Sequence, residues 1–342
     1  MKLNKLEEWL NIQPKNINIK SVFYLVWDSK YPELPVWLDK IPEKKNFSIK
    51  VKWKKINKEI IVCGFIKDNG YKYNLPLENG YKNIAMIKSL LQKSIRRMDD
   101  NIAVQSAWLM IKMDLLAFLR RILIIMVEDV YLHESFSTIL WLQCAVSSNL
   151  FNIQEHHIKW LLGIVVMLAK NKSIEDFIID DDVISNECDI FQDLDSKFLD
   201  LKESDYSMLY SLYFRKSYGG MQSDINLLQK TINIWYKRFN SKNNYKINNK
   251  IKNVSLNILE LDKDEWIIEA IDFHCCPYML KWLHDKYPIY SNDYIKELIW
   301  NYSSKINLRN YKDIDENKKY KDWLKIKNEV KNIQRYIINK HS

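Results

Sequence analysis

Lys88–Val130 reads KSLLQKSIRRMDDNIAVQSAWLMIKMDLLAFLRRILIIMVEDV, and this stretch decides the fold. Ile84, Ile87, Leu91, Ile95 and Met98 recur at helical spacing. The spacing predicts a helix that ends at Arg96-Arg97, where cations suit the carbonyl-rich C-terminus. Asp99-Asp100 supply caps for a second helix over Ile102–Met113. Leu115–Val127 is apolar nearly all round, the mark of a helix buried on most sides. Arg120 and Arg121 interrupt it and therefore need acidic partners or water. Glu128 and Asp129, about two turns further along, can provide those partners from a neighbouring helix. Arg96, Arg120, Arg121, Glu128 and Asp129 are thus expected to pair inside one bundle and to serve its architecture.

Working outward, Ser135–Val146 and Gln154–Ala169 give two more helices, which makes residues 81–173 a helical bundle. Residues 1–80 are mixed. Lys2–Leu10 suits a short helix. Phe47, Ile49, Val51 and Trp53 alternate with Ser48, Lys50 and Lys52, the period of a half-buried strand. Glu59–Ile66 reads as a second strand, Asp68-Asn69-Gly70 as a turn and Tyr71–Leu75 as a third strand ended by Pro76. Together they make a three-stranded antiparallel β-meander, whose Lys50, Lys52 and Lys54 row can touch phosphates or simply keep an edge soluble. Residues 174–205 are acidic, a surface loop with short helices. Residues 206–342 are again helical: Ser207–Phe239 broken at Gly219-Gly220, Glu265–Tyr287 around Pro277, Asn292–Ser303, and a charged amphipathic helix Lys318–Lys340. That last helix sets Trp323, Ile326, Val330, Ile333 and Ile337 on its apolar side. The fold class expected is mainly α, a helical bundle with a small N-terminal meander, α+β overall.

Parts of this stretch resemble a known family. Lys93-Ser94-Ile95-Arg96, Asp99/Asp100, Ala103, Trp108, Arg120-Arg121-Ile122, Ile124 and Glu128-Asp129-Val130 are similar to the C-terminal helical region of clamp-loader-related ATPases. These are the bacterial RarA/MgsA type and their eukaryotic Werner-helicase-interacting relatives. The likeness continues through Cys144-Ala145-Val146, Ile158 and Leu161 to Asn171-Lys172-Ser173, and covers residues 84–173. It implies a helical collar that assembles subunits, in proteins acting at stalled or recombining DNA forks. The family's ATPase part carries a GxxxxGK[ST] phosphate loop. Here no Gly-Lys-Ser/Thr occurs, and Gly219-Gly220 lies in YGGMQSD. ATP hydrolysis therefore does not carry over, whereas oligomerisation or docking onto a replication ATPase does.

Charge points the same way. The net charge is +9. Glu175–Asp205 holds 12 acids against Lys197 and Lys202, so the rest of the chain carries +19. A field of that sign favours polyanions, DNA before RNA in view of the resemblance. A lysine-rich surface that only confers solubility is the plainer account. Lys237, Arg238, Lys242, Lys246, Lys250 and Lys252 fall in residues 237–253, which contain no acid and read as an exposed basic linker able to bind nucleic acid. The acidic segment, by its opposite charge, can lie on that linker and mask it.

Other constellations carry less. Five cysteines without a CxxC pair argue against a disulfide framework or a zinc ribbon. Asp272, His274, Cys275 and Cys276, with His284 beyond, mix metal and nucleophile chemistry but match no zinc spacing. Buried cysteines beside a helix start are the plainer account of them. Asp180-Asp181-Asp182 can hold Mg²⁺ only if the three converge, and a run on a loop points in several directions. His156 and His157 are sequence neighbours, which do not share a helix face. The N-terminus MKLNKLEEWLNIQPK has acids where a secretory leader needs an apolar run, and Leu115–Val127 is too short to span a bilayer. The expectation is an intracellular protein of cytoplasm or nucleus, with no cofactor and no membrane partner. Its expected role is a non-catalytic accessory of DNA replication or repair. A structural oligomerisation scaffold is the alternative, and a metal-dependent enzyme centred on Asp272, His274 and Cys275 comes after that.

Overall fold

The computed structural model describes residues 20–28, 31–53, 58–67, 73–75, 83–175, 201–241, 251–257, 276–310 and 318–341. Among them the chain is mainly helical, with one small sheet. It forms two compact units that interleave along the sequence. One takes the sheet and residues 201–241; the other takes 73–75, 83–175 and 251–341. The chain passes between the units at 67–68, 175–176 and 246–247 as well as around residues 29–31, the second of these within two residues of the division expected at 173.

The sheet has strands β1 (Val22–Asp28), β2 (Tyr31–Pro32), β3 (Val36–Leu38), β4 (Phe47–Trp53) and β5 (Lys58–Ile66). β4 and β5 pair antiparallel, with Ile49 opposite Val62, as the alternation predicts. The meander itself does not form. Tyr73–Leu75 is irregular. The other edge of β5 is taken by β1, which runs parallel to it from Val22↔Ile61 to Trp27↔Ile66. The physical reason lies in β1. Val22, Phe23, Leu25 and Trp27 are all buried, and so apolar a run belongs in a sheet interior rather than at an edge. Tyr73 instead donates its N–H to the Ile153 carbonyl at 2.8 Å, in the other unit's own fold. Lys50 is exposed and meets Glu59 across the strands at 3.1 Å.

Helices α5 (Glu203–Ser217) and α6 (Gln222–Asn240) complete this unit. Gly219 and Gly220, at φ of +100° and +146°, make the break between them, a backbone that side-chain-bearing residues rarely adopt. Trp37 of β3 is the centre of the packing. Its ring stacks on Phe23 at 4.4 Å and meets Tyr210 and Phe214 of α5. Its indole N–H donates to Ser211 Oγ at 3.1 Å, so burial of this large ring leaves no donor unpaired.

In the second unit, α1 (Ile84–Arg96) and α2 (Asp100–Ile125) are joined by the shortest of turns. Met98 sits at φ 58°; its N–H and that of Asp99 close onto the Ile95 and Ser94 carbonyls. Asp99 then caps α2 by accepting from Ile102 N–H at 2.9 Å. One residue thus ends one helix and starts the next. α2 kinks at Asp114, whose carboxylate accepts from Ala117 N–H at 2.8 Å. This is the division between Ile102–Met113 and Leu115–Val127 that the sequence implies. Helices α3 (Ser135–Ser147) and α4 (Glu155–Lys170) pack on α2, and α7 (Pro277–Lys286), α8 (Asn292–Ile299) and α9 (Lys318–His341) follow. Trp323, Ile326, Val330, Ile333 and Ile337 are buried along α9, as their periodicity requires. No helix among the described residues is long and apolar enough to cross a membrane.

Gly163 lets the strand of chain at 251–254 lie on α4. A Cβ at this position would stand 2.2 Å from the Lys252 carbonyl oxygen and 3.1 Å from Ile251 Cγ2. The obstacle is backbone, which cannot rotate away. Gly163→Ala is expected to destabilise this unit by about 1–3 kcal/mol through overpacking. Urea unfolding would measure it, and a neutral or stabilising substitution would contradict the close approach.

Candidate functional site

A buried cluster of charged groups forms where α1, α2 and the chain after α8 converge. At its end α2 widens into a π-turn, Met126–Val130, which carries Glu128 and Asp129. Arg96 Nε donates to Asp129 and its Nη2 to Glu128 at 3.1 Å. One planar fork therefore holds two consecutive acids, the geometry for which a guanidinium is suited. Gln92, one turn earlier on α1, donates to both carboxylates, at 3.0 Å and 2.7 Å, and accepts from Arg121. Burial and the adjacent Asp129 push the Glu128 carboxyl up, while Arg96, Arg121 and Gln92 pull against that shift.

The C-terminal part of the chain closes this cluster. α8 also ends in a π-turn, Trp300–Ser304, which leaves carbonyls facing α1. Arg96 donates to the Ser304 carbonyl and Arg97 to that of Ser303, each at 3.2 Å. Asn307 donates to the Asp129 carbonyl at 2.8 Å, and Leu308 N–H to the Arg96 carbonyl at 2.9 Å. Arg309 then reaches four carbonyls, those of Ile95, Leu168, Ala169 and Asn171. It caps the C-termini of α1 and α4 together. Burial lowers its guanidinium to about 10, with Asp129 acting in the opposite sense, so it stays charged at neutral pH.

Each residue singled out from sequence has a definite place or lies outside the described residues. Arg96, Glu128 and Asp129 do pair. Arg120 is exposed, and Arg121 bonds Gln92, its Nε buried without a hydrogen bond. The acids thus serve Arg96 rather than the Arg120-Arg121 pair. Lys237 and Arg238 end α6, where Arg238 lies 4.9 Å over the Trp235 ring. Lys252 is exposed, but its backbone is docked on α4. The first two belong to one unit and Lys252 to the other. Lys242, Lys246 and Lys250 lie outside the described residues, as do Lys54, Asp180–Asp182, Asp272, His274 and Cys275. His157 is fully buried. Its Nδ1 accepts from Gln154 N–H at 3.0 Å, closing the first turn of α4, and burial holds it well below the usual histidine range. Among the described residues no three His, Cys, Asp or Glu side chains gather in a way that would hold a metal ion.

A second assembly, not foreseen from the sequence, lies across α7, α8 and α9. Asp322 is buried and accepts from Tyr290 Oη at 2.8 Å, Tyr294 Oη at 3.0 Å and Lys325 Nζ at 2.8 Å. Glu329 accepts from Lys286 Nζ at 2.6 Å and from Trp282 Nε1 at 2.8 Å. These are the only acids of α9, against eight lysines and arginines. The outer face of α9 is therefore cationic, with both its acids engaged by neighbours. Large aromatics stand beside it: Tyr278, Trp282 and Tyr336 are 47%, 46% and 52% exposed. No family model, curated protein or solved structure matches the chain.

Two outcomes follow for these clusters. Arg96→Met leaves two acids without their cation, and removing one partner of a buried pair costs about 3–5 kcal/mol. Chemical denaturation measures this, and a loss below about 1 kcal/mol would deny Arg96 its central place. The Asp322 cluster gives a pH signature. Tyr294 is pushed up to about 12, first by burial and then by Asp322. The stability it contributes is complete below about 10 and fades as pH rises toward the folded value. Asp322 is held down, first by Lys325, so its contribution is present above about 4 and fades as pH falls. Tyr294→Phe should flatten the alkaline arm of a melting-temperature profile, and Asp322→Asn the acid arm. Arms that keep the wild-type slope would rule the cluster out as their source.

Proposed function

We propose that this chain is a non-catalytic accessory protein of DNA replication or repair that binds nucleic acid through a helical module. The observation that carries this reading is α9, which bears eight lysines and arginines, Lys319 and Lys325 among them paired with acids, against two acids of its own that are held within the fold. Cations arranged so recruit phosphates and release counterions on binding. The +19 balance outside Glu175–Asp205 acts in the same sense. The resemblance of residues 84–173 to a clamp-loader collar supports a module that assembles or docks. Glu128, the buried Asp129 and the buried His157 serve the architecture, which supports a binding rather than a catalytic role.

Fluorescence anisotropy with labelled oligonucleotides tests it. For about four phosphate contacts on a single strand, affinity should drop about fifty-fold between about 50 and about 200 mM salt. Neutralising Lys321, Arg335 and Lys340, which are exposed, should weaken binding and shallow that slope. Neutralising Lys237, Arg238, Lys242 and Lys246 in a separate variant measures the share of that basic stretch. Affinity indifferent to salt, or none at all, would refute the proposal.

A further inference from the structure

We infer that Tyr278, Trp282 and Tyr336 form a stacking platform for unpaired bases, so that the nucleic acid this chain takes is single-stranded. This deepens the proposed function and rests on it. Tyr278 and Trp282 lie one turn apart on α7, their ring centroids 6.0 Å apart. Tyr336, on α9, lies 6.2 Å from Tyr278 with the rings inclined by only 25°. Three aromatic side chains from two helices thus make one contiguous surface, each about half exposed. Rings of this size are ordinarily buried in a core, where they contribute most to stability. Retaining three together at the surface gives them faces free to meet a partner.

The platform is held in place. Trp282 Nε1–H donates to Glu329 at 2.8 Å, and Glu329 is bound at the same time by Lys286 at 2.6 Å. The acid that orients the indole is therefore neutralised and does not repel an approaching phosphate. Cations surround the rings. Lys340 Nζ lies 5.9 Å from the Tyr336 centroid. Lys281 and Arg335, the sequence neighbours of Trp282 and Tyr336, are exposed. Across α7 and α9 there are ten lysines and arginines against Asp285, Asp322 and Glu329.

Charge selects a polyanion, and the ring faces select among polyanions. A duplex hides its base faces within the stack and presents phosphates and groove edges, for which lysines suffice. A single strand offers phosphates and free π-faces together, the pairing that cationic grooves with aromatic platforms exploit. The contact is tolerant of sequence, because every base has a face to stack.

The test uses the full chain and three labelled ligands of equal length: oligo-dT, an abasic oligonucleotide with the same phosphates, and a duplex. Oligo-dT should bind at least about tenfold more tightly than the abasic strand. Tyr278→Leu, Trp282→Leu or Tyr336→Leu should each cost about tenfold on oligo-dT and little on the abasic strand. Trp282→Phe lacks the indole N–H but keeps a ring, so retained affinity in that variant assigns the effect to stacking rather than to release of Glu329. Unchanged circular dichroism and melting confirm that the variants fold. Equal, salt-sensitive binding of oligo-dT and abasic strand would overturn the platform and leave the nucleic-acid reading standing. Binding to none of the three would remove both. Preference for the duplex, or displacement of oligo-dT by polyglutamate or by anionic phosphatidylserine vesicles at equal charge, would also overturn it.

Discussion

Arg96 bonded to Glu128 and Asp129 is the interaction on which the helical unit depends. Two adjacent carboxylates in a mostly dry site repel each other and are poorly solvated. They are tolerable only because one guanidinium engages both, with Gln92 bonding each a second time. The arrangement sets the path of the chain. Arg96 sits at the end of α1, the acids sit on the widened end of α2, and a further Arg96 donor, on Nη1, is taken up by the Ser304 carbonyl from the C-terminal helices. Three segments distant in sequence are brought to one point by the hydrogen-bonding capacity of one side chain. Arg309 repeats the device nearby, with four carbonyls in place of two acids. Cations here act as caps for helix ends whose carbonyls have no partner within their own helix.

The sheet unit relies on a different economy. Its core is built on aromatic contact around Trp37, and the helix that supplies Tyr210 and Phe214 comes from more than 160 residues further along the chain. Serines at 207 and 211 meet the Trp37 backbone and indole donors, which permits full burial of the ring. The central pairing of β1 with β5 is parallel, and parallel neighbours are separated by long connections. Such a unit assembles from contacts remote in sequence, whereas α1 and α2 join through the turn at Met98 and Asp99.

The surface across α7 and α9 shows acids used to position side chains within a cationic neighbourhood. Asp322 and Glu329 offset only two of the eight cationic charges on α9. Bound to Lys325, two tyrosines, Lys286 and Trp282, they orient groups and leave the outward face positive. The platform and its charge thus have a common structural origin.

Periodicity made much of the helical framework legible. The break at Asp114, the cap at Asp99, the glycine break after α5 and the buried stripe of α9 all follow from local preferences that act within a turn or two. The same reasoning placed β4 and β5 and their antiparallel pairing. It passed over β1, because the run Val22–Trp27 does not alternate and such a short apolar run does not by periodicity declare itself a strand. It failed as well for the Arg309 and Asp322 clusters, since hydrogen bonds to carbonyls and hydroxyls leave no repeat in a sequence. What the sequence determined by itself was local: where helices start, stop and turn an apolar side inward. Which acid meets which arginine, and which aromatics share a surface, was decided only by the tertiary structure. Those pairings depend on distances between residues far apart in the chain, and no local preference encodes such a distance.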